Sequence, residues 1–567
     1  MPDNKLTPPA GNPSPVEAIK LKSKGLRGTL AQGMENAITG AVSADDQTVI
    51  KFHGSYQQDD RDRRAERELK KLEWAYSYMI RLRLPGGEVS DAQWRGLHKL
   101  CNDNASGVIK ITTRQTIQIH GVVKAKMKPT MEWFRDLGVD TIAACGDVNR
   151  NVMAGADPTL SQFHEEVYEF AQSISEYLLP KTQAFSEVWL DGEKLTGDEP
   201  EEDPLYLKHY LPRKFKIAIA TPPHNDTDIF TNDIGLISIE ENGEFTGFNV
   251  AIGGGMGTTH GNPETYARLA TVIGFVPKDK VLDCVWQIVA VQRDYGNRSD
   301  RKLSRMKYTV DRLGVDVYKA EVEKRMQEKH KGFKFGAEKP YKFIERVDHY
   351  GWQQGKDGLY FRTIFVESGR VMDLPGYAIK TALKECADTG FCQFRFTGNQ
   401  NIMLTYIEQK NKGAIDMILA KHGIDESKFS NIRKDALACV ALNTCGLALA
   451  EAQRYLPTLI TKVEGLLAKH KLEKDPFSIR MTGCPNGCAR PWAAEIGFIG
   501  KALGQYNLYL GGNSTGTRLN RLYKESLDEA QILQTLDGLF ADYAKNRQPS
   551  ERFGDFIYRT IQSGAAA

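Results

Sequence analysis

The chain resembles itself in two places, and this internal similarity restricts its possible folds more than any other feature of the sequence. The segment "IKITTRQTIQIH" (109–120) matches "FRFTGNQNIMLT" (394–405), and both alternate apolar and polar residues as half-buried strands do. The region from "FKIAIATPPHND" onward (215–257) matches the region from "FSIRMTGCPNGC" onward (477–516). Because both pairs occur in the same order, the sequence predicts an α+β fold with a duplicated A-B-A′-B′ architecture and pseudo-twofold symmetry.

The composition fits a globular chain that is large enough for several domains. Its 567 residues are 41% hydrophobic and 26% charged, and the net charge of +3 argues against general nucleic-acid binding. No apolar run approaches the roughly 18 residues of a membrane span, and the polar N-terminus lacks a signal-peptide core. Nine unevenly spread cysteines do not resemble a secreted disulfide framework. We therefore expect a cytoplasmic protein without membrane or nucleic-acid partners.

Local patterns predict secondary structure around the repeated segments. Residues 62–80 show helical periodicity, residues 107–122 predict a strand pair, and residues 211–223 predict a strand that ends at two prolines. Residues 262–326 are expected to be mostly helical. The segment 327–341 is rich in Lys and Gly and is therefore a candidate linker between the halves.

Four cysteines in the second half are the strongest chemical signal. Cys439 and Cys445 flank five residues, whereas Cys484 and Cys488 flank the turn 485–487, which can aim both thiols at one point. Structural zinc prefers closer pairs than the first of these, and four thiolates also form the ligand set of a [4Fe–4S] cluster. Spacing alone leaves three interpretations open: a cluster, a zinc site or four buried core cysteines. The remaining cysteines are predicted to be structural: Cys101, Cys145, Cys284, Cys386 and Cys392.

Positive charges occupy unusual positions in the first half, within or beside short apolar strands. These residues are Arg81, Arg83, Arg114, Arg150, Arg213, Lys214 and Lys216. Any one of them could be a surface residue whose stem packs along a sheet. Together they lie in the first A and B units, whereas the cysteines lie in the second half. This division predicts a site for a polyanionic cofactor and a small anionic substrate. A zinc-stapled nucleic-acid-binding module is the alternative outside enzymes, although the near-zero net charge disfavours it.

With these motifs the chain resembles the sirohaem- and [4Fe–4S]-containing nitrite and sulfite reductases. The resemblance rests on C-x5-C…C-x3-C with "TGCPNGC", and on "RLRLPGG", "TTRQTIQIHG", "NRNV", "LPRKFK" and "LGGNSTGTR". It implies ferredoxin-like nitrite/sulfite reductase domains combined with sirohaem- and Fe–S-binding α/β domains. The implied divisions are an N-terminal arm (1–70, disordered over about the first 25 residues), A (71–145), B (146–340), A′ (341–430) and B′ (431–567).

The resemblance also implies roles for individual residues. The cluster ligands would be Cys439, Cys445, Cys484 and Cys488, and Cys488 would in addition be the proximal ligand of the sirohaem iron. The residues around the substrate anion would be Arg81, Arg150, Lys214 and Lys216. Those near the macrocycle would be Arg114, His120, Arg213 and Asn486. The segment "LNTCG" departs from the family pattern, which has prolines near Asn443 and Gly446, and this change affects loop stiffness rather than ligation.

The implied activity is the six-electron reduction of sulfite to sulfide in assimilatory sulfur metabolism. Nitrite reductases share the site plan, so reduction of nitrite to ammonia is an alternative. The segment "GGGMG" (253–257) lacks the strand–helix context of a dinucleotide site. We therefore expect electrons from a partner protein, and the resemblance implies that it is a separate NADPH-oxidising flavoprotein (alpha) subunit, with ferredoxin as the second candidate donor. The N-terminal arm is a candidate docking segment.

Overall fold

The computed structural model of the chain describes residues 6–181, 188–190, 193–196 and 202–562. The helices of these residues are α1 Pro15–Lys22, α2 Leu30–Glu35, α3 Asp46–Val49, α4 Arg64–Leu69, α5 Asp91–Asn104, α6 Lys124–Asp136, α7 His164–Tyr177, α8 Val281–Tyr295, α9 Met306–Leu313, α10 Val315–Lys329, α11 Ile379–Thr389, α12 Lys412–Lys421, α13 Asn431–Lys434, α14 Leu456–Lys469, α15 Glu529–Asn546 and α16 Phe553–Ile557. None of these helices is both long and apolar enough to cross a bilayer.

The strands of the first half are β1 Ser55–Asp59, β2 Tyr76–Arg81, β3 Glu88–Val89, β4 Ile109–Ile111, β5 Ile117–Val122, β6 Val188–Leu190, β7 Glu193–Thr196, β8 Ile217–Ala220, β9 Ile234–Glu241, β10 Glu244–Ile252 and β11 Thr271–Pro277. Those of the second half are β12 Gly351–Gln354, β13 Tyr360–Ile364, β14 Arg370–Val371, β15 Gln393–Phe396, β16 Ile402–Ile407, β17 Ala436–Ala438, β18 Ile479–Thr482, β19 Ile496–Ala502, β20 Gln505–Leu510 and β21 Arg521–Leu527.

Two five-stranded antiparallel sheets exchange one short strand each. The first has the order β1-β2-β5-β4-β14 and the second has the order β12-β13-β16-β15-β3. Strand β14 comes from the second half but pairs with β4, whereas β3 comes from the first half but pairs with β15. Apolar residues of both sheets form one continuous buried cluster with helices α5 and α11. Each sheet therefore depends on the other half of the chain for an edge strand.

The matched hairpins of these two sheets contact each other in a reciprocal way. Gln115 and Gln400 occupy the two turns, both with positive φ, at +49° and +68°. Gln115 Nε2 donates to the carbonyl of Phe396 at 3.0 Å, and Gln400 Nε2 donates to the carbonyl of Ile111 at 3.2 Å. Each glutamine thus binds the strand end of the other hairpin, at the point where the two sheets meet.

The other two large sheets share a strand order and directions. Strands β8 and β9 are parallel, and β10 and β11 continue antiparallel; in the second half β18 and β19 are parallel, and β20 and β21 continue antiparallel. Strand β17 adds a further parallel strand beside β18. At the sheet that contains β8, the backbone of Asn149 makes an isolated parallel bridge to Phe215, and that of Met153 makes one to Ala218. Side chains on both faces of these central strands are buried, as their apolar sequences require.

Several local predictions are confirmed and others are wrong. The strand pair within 107–122 is present as β4 and β5, and β8 lies within 211–223. The helix predicted over 62–80 ends at Leu69, because residues from Tyr76 onward pair with β1 and β5. Residues 262–326 contain β11 ahead of their three helices. The helical periodicity of residues 262–326 did not exclude strand β11, because a short apolar run fits the pattern of a helix as well as that of a strand.

The prediction of a disordered arm is wrong for the part of it that the structure describes; residues 1–5 lie outside the described residues. Helix α1 buries Lys20, whose Nζ lies 2.5 Å from Glu17 Oε1 and 3.6 Å from Asp147 Oδ2. Lys20 also donates to the carbonyl of Leu211 at 2.9 Å. A buried ammonium requires such fixed partners. These contacts therefore hold the arm against the first α/β sheet, which is the sheet of strands β8 to β11.

Candidate redox and anion-binding site

The four predicted cluster cysteines lie after two neighbouring parallel strands. Cys439 directly follows β17, and Cys484 lies two residues after β18. The N–H of Gly483 donates to Cys439 Sγ at 3.4 Å, which ties the two loops together. Cys484 is buried, Cys439 and Cys445 are half-buried, and Cys488 is exposed. Carboxyl ends of adjacent parallel strands meet at one edge of a sheet, so strand order alone brings these loops together.

The thiols are close enough to affect one another electrostatically. Burial raises the pKa of Cys439 far above its usual range, raises that of Cys445, and raises that of Cys484 to about 11. The charge of Cys488 raises the pKa of all three further. Thiolates gathered in this way require a positive centre to be stable, and a metal cluster supplies one.

A glycine-rich loop closes over the turn between the last two cysteines. Gly487 has φ +64°, and a Cβ there would lie 2.3 Å from the indole ring of Trp492. The N–H of Thr258 donates to the carbonyl of Pro485 at 2.8 Å, so the segment after "GGGMG" binds this turn directly. The glycines at 253–257 therefore serve close packing of two loops, consistent with the prediction that they are not a dinucleotide site.

Three cations at the start of β8 have no hydrogen-bond or ion-pair partner among the described residues. They are Arg213, Lys214 and Lys216, and all three are half-buried. Burial lowers the pKa of Lys214 and Lys216 far below the usual range, and neighbouring cations lower both further. The charge of Cys488 acts in the opposite direction on both lysines, which places the exposed thiol and the two amines in one electrostatic neighbourhood. Half-buried cations without hydrogen-bond or ion-pair partners indicate that an anion completes the site.

Arg81 and Arg150 lie beside this group, together with Cys145. Arg150 Nη2 donates to the carbonyl of Gly146 at 2.9 Å, and Arg81 Nη1 donates to Cys145 Sγ at 2.8 Å. Burial would lower the Arg150 pKa, but the charges of Tyr56 and Cys145 more than offset it and raise that pKa. The structural role predicted for Cys145 stays a prediction, and its buried thiol lies against a residue predicted to bind substrate.

Two of the four residues predicted near the macrocycle make hydrogen bonds to protein groups, and their role near a macrocycle stays a prediction. Arg114 donates to the Asn232 side chain and to the backbone carbonyls of Asn151 at 2.6 Å and Ile217 at 3.0 Å. Burial first, and the charge of Arg490 second, lower the pKa of Arg114 to about 9. These bonds hold the first hairpin turn against β8, so Arg114 positions the cation group.

His120 is the second of these residues. Its ring nitrogens lie 3.0 Å from Gln58 Oε1 and 3.1 Å from the Gln118 side-chain amide. Burial lowers the pKa of His120 far below its usual range, so the ring is neutral. Asn486, by contrast, lies beside the cysteines, where its Nδ2 donates to Cys484 Sγ at 3.5 Å. The guanidinium of Arg213 has no hydrogen-bond or ion-pair partner among the described residues, and burial lowers the pKa of Arg213 to about 10.

The sequence predictions missed three residues of this site. Thr113 Oγ1 donates to the carbonyl of Cys488 at 2.8 Å, and it directly precedes Arg114 in the first hairpin turn. Arg305 binds buried Asp233 at 2.9 Å, and its charge lowers the pKa of both lysines. Lys51, from the arm, also joins the group, and burial lowers its pKa. The "TTRQT" motif offered a signal for Thr113, but nothing in the sequence places residues 51 and 305 beside β8.

The residues present fit an iron–sulfur cluster beside a polyanionic macrocycle. Four thiols at one sheet edge supply the soft donors of a cluster. Three cations without described partners, Arg213, Lys214 and Lys216, supply positive charge for carboxylates and a small anion. The cations line an interior site instead of an exposed basic face, so the geometry does not favour the zinc-stapled nucleic-acid module.

Comparisons with known proteins agree with this geometry. A family model described as "Nitrite/Sulfite reductase ferredoxin-like half domain" matches residues 75–136, and one described as "Nitrite and sulphite reductase 4Fe-4S domain" matches residues 170–330. The solved structure of the Mycobacterium tuberculosis NirA protein is similar in fold, with a TM-score of 0.77 at 23% identity, over 97% of both chains.

Curated relatives match almost the full chain. A "Sulfite reductase [NADPH] hemoprotein beta-component" from Leptospira biflexa is 57% identical over 546 residues, which covers 96% of this chain and 98% of that protein. The protein of the same description from Geobacillus thermodenitrificans is 50% identical over 558 residues, covering 98% and 96%. The chain therefore belongs to the nitrite and sulfite reductase family.

Proposed function

We propose that the chain is the haemoprotein component of an NADPH-dependent sulfite reductase and reduces sulfite to sulfide with six electrons in assimilatory sulfur metabolism. The observation that carries this proposal is that the charge of exposed Cys488 acts on Lys214 and Lys216, whose side chains have no hydrogen-bond or ion-pair partner among the described residues. A redox thiol site next to uncompensated cations suits the reduction of a small anion. Relatives that are 50% and 57% identical carry the corresponding description.

The cofactors would be a [4Fe–4S] cluster and sirohaem. Cys439, Cys445, Cys484 and Cys488 would hold the cluster, and Cys488 would also bind the haem iron. Arg213 and Asn486 would lie near the macrocycle, with Arg213 binding its carboxylates, and Arg114 and His120 would support the site from behind. When bound, these cofactors supply the electrons, which no side chain can deliver.

The substrate anion would bind among Arg81, Arg150, Lys214 and Lys216. Sulfite is strongly hydrated in water, and these groups replace its water shell with charge-assisted hydrogen bonds. A bound anion favours the protonated form of an amine, so it opposes the pKa lowering of Lys214 and Lys216. Each lysine would therefore take up a proton as the anion binds and hold it next to a substrate oxygen, as the reduction requires.

The electron donor would be a separate flavoprotein subunit that oxidises NADPH, with ferredoxin as the second candidate. Support comes from the name of the Leptospira biflexa and Geobacillus thermodenitrificans relatives, which includes NADPH and a beta-component. The chain would act in the cytoplasm. Docking through the N-terminal arm stays a prediction; Leu6, Ile19 and Leu26 of the arm pack against the first α/β core, whereas many of its other described residues are exposed.

The finer architecture is also part of the proposal. We infer a duplicated A-B-A′-B′ chain with pseudo-twofold symmetry, an arm over 1–70 and units over 71–145, 146–340, 341–430 and 431–567. The exchanged strands β3 and β14 and the reciprocal bonds of Gln115 and Gln400 support it. The family match over 170–330 falls on the first B unit, which lacks the four cysteines, as a repeated unit allows.

The test is anaerobic turnover by purified holoenzyme with reduced methyl viologen, compared on sulfite and nitrite. We expect sulfide as the product, a haem absorption band and more iron than haem in the metal analysis. The ratio of kcat/KM for sulfite to that for nitrite then decides between the two activities. A value for nitrite more than tenfold above that for sulfite would contradict the proposal and favour nitrite reduction to ammonia.

A further inference from the structure

A second group of metal-ligating side chains lies apart from the cysteines. Asp157, His224 and His349 each offer a ligand atom, and these atoms all lie within 4.8 Å of one another. Asp157 and His224 belong to the first half, whereas His349 precedes β12, the opening strand of the second antiparallel sheet. The backbone of His224 also makes a parallel bridge to Glu345. The group thus spans two parts of the fold that are remote in sequence.

Its geometry leaves defined atoms free to bind a ligand. Thr159 donates to Asp157 Oδ1 through both its N–H and its Oγ1, at 2.8 and 2.6 Å. This leaves Asp157 Oδ2, which lies 3.5 Å from His349 Nδ1. The other ring nitrogen of His349 lies 3.1 Å from Glu345 Oε1, and Nε2 of His224 lies 2.9 Å from the same oxygen. A carboxylate on the far nitrogen of an imidazole is the arrangement that orients metal-binding histidines.

The carboxylates of this group lack the cations that accompany other buried carboxylates. Buried Asp147 lies 2.8 Å from Arg301, and buried Asp228 lies 2.6 Å from Arg480. Within the described residues, neither Asp157 nor Glu345 has an ion pair with Lys or Arg; their charged partners are histidines.

Neighbouring Asp226 has the same deficit of positive charge. It is buried, and its Oδ1 has no hydrogen-bond partner among the described residues. Among the described residues, histidines are the only charged partners of this group of carboxylates, so a divalent cation would add positive charge that no Lys or Arg supplies here.

We propose that Asp157, His224 and His349 bind one divalent transition-metal ion that joins the first α/β sheet to the segment preceding β12. Two imidazoles and a carboxylate are ligands that zinc accepts in proteins, with water completing four-coordination. Asp157 and His224 form a buried floor, and the His349 side chain, 40% exposed, provides access from solvent. The ion is structural, since neither the cysteines nor the substrate-binding cations take part.

The test uses the holoenzyme with its iron in place, so that the four cysteines do not bind added zinc. Equilibrium dialysis against ZnCl2, followed by zinc and iron analysis, should give one zinc per chain at unchanged iron. His349→Gln and Asp157→Asn should each weaken zinc binding at least tenfold. Added zinc should also raise the melting temperature of the wild type but not that of His349→Gln.

His470→Gln is the matched control. His470 Nε2 lies 2.7 Å from Asp537 Oδ1, so this variant removes a similar histidine–carboxylate pair that lacks a second histidine. It should leave both zinc stoichiometry and the zinc-dependent melting shift unchanged. Absence of bound zinc in the wild type would overturn the proposal, as would tight binding that survives in both His349→Gln and Asp157→Asn. Because His349 is substantially exposed, its replacement does not endanger folding.

Discussion

The two α/β sheets share strand order and directions, yet they contribute opposite chemistries to one site. In the first sheet, β8 is preceded by Arg213, Lys214 and Lys216 and is followed by "TPPHND". In the second, the equivalent strand β18 is followed by "TGCPNGC", and its neighbour β17 is followed by Cys439. The strands make equivalent parallel pairs, Ile217 with Ile234 and Ile479 with Ile496.

The comparison shows how a repeated structure can separate two requirements that conflict. Thiolates and cations placed in one loop would pair with each other and lose their ligand-binding capacity. Here the cysteines and the cations come from different sheets, and both remain available to ligands. Asp228 joins the two sheets, because its carboxylate lies 2.6 Å from Arg480 of β18 and 3.0 Å from Arg346.

The largest expected effect is the loss of a thiol from the second sheet. Cys484→Ser should remove the cluster iron and reduce sulfite turnover at least about 1,000-fold, because a cluster with a missing thiolate is not retained. Iron analysis and steady-state kinetics measure both. The matched control is Cys284→Ala in α8, which should leave iron unchanged and cost about 1 kcal/mol of unfolding free energy. Equal iron loss in both variants would remove the distinction between the two sheets.

The second effect concerns the junction of the two sheets. Asp228→Asn should lower the free energy of unfolding by about 3–5 kcal/mol, because it leaves buried arginines without a counter-charge. Denaturant unfolding of the apoprotein measures this loss. Asp311→Asn, at the half-exposed pair with Arg268, is the control and should cost less than about 1 kcal/mol. A loss of similar size in both variants would mean that the junction carries no special stability.

The same junction predicts a pH dependence. Burial opposes ionisation of Asp228, but the charges of Arg480, Arg490 and Arg346 prevail and hold its pKa below the usual 3.8. Its stabilisation is therefore fully present above pH 3.8 and declines as the pH falls toward the lower folded-state pKa. Between pH 5 and about 2, wild-type stability should fall more steeply than that of Asp228→Asn. Parallel pH profiles of the two proteins would contradict this assignment.

A smaller effect tests the cations of the first sheet. Lys216→Met should lower kcat/KM for sulfite about 100-fold, because one charged donor to the substrate is lost. The haem spectrum should stay nearly unchanged, since no cofactor ligand is touched. Exposed Lys342→Met is the control and should have wild-type kinetics. Loss of haem from Lys216→Met would instead give Lys216 a structural role.

The smallest effect concerns the helices that follow the two sheets. Asp528 caps α15 in a reciprocal capping box with Gln531, whereas Lys280, which precedes α8, makes no side-chain cap. Asp528→Ala should therefore cost about 1 kcal/mol of unfolding free energy, and Lys280→Ala should change it by less than about 0.5 kcal/mol. Thermal unfolding of both variants measures the difference, and an equal cost would show that the cap contributes nothing.

Features that depend on local pattern could be predicted from the sequence. The hairpin of β4 and β5 follows from alternating Ile109, Ile111, Ile117 and Ile119, and the shared direction of Cys484 and Cys488 follows from the turn residues between them. The grouping of Lys214 and Lys216 follows from their alternation next to one strand. Each of these inferences needs only residues that are neighbours in the chain or in the repeat.

Features that depend on contacts between remote segments could not be predicted. Strands β3 and β14 have two residues each, which is too few for any periodicity. Helix α1 belongs to a polar segment, and the partners of its buried Lys20, Asp147 and the carbonyl of Leu211, lie far along the chain. The partners of Arg114 and the group of Asp157, His224 and His349 likewise form only when the halves pack together.

The most direct test of the central claim is a Mössbauer measurement on the iron-57-enriched holoenzyme. The account predicts that the haem iron and the cluster irons are magnetically coupled, because the sulfur of Cys488 would be shared between them, and that Cys488→Ser abolishes the coupling. Magnetically independent centres in the wild type, or a Cys488→Ser variant that keeps both centres and their spectrum, would contradict it.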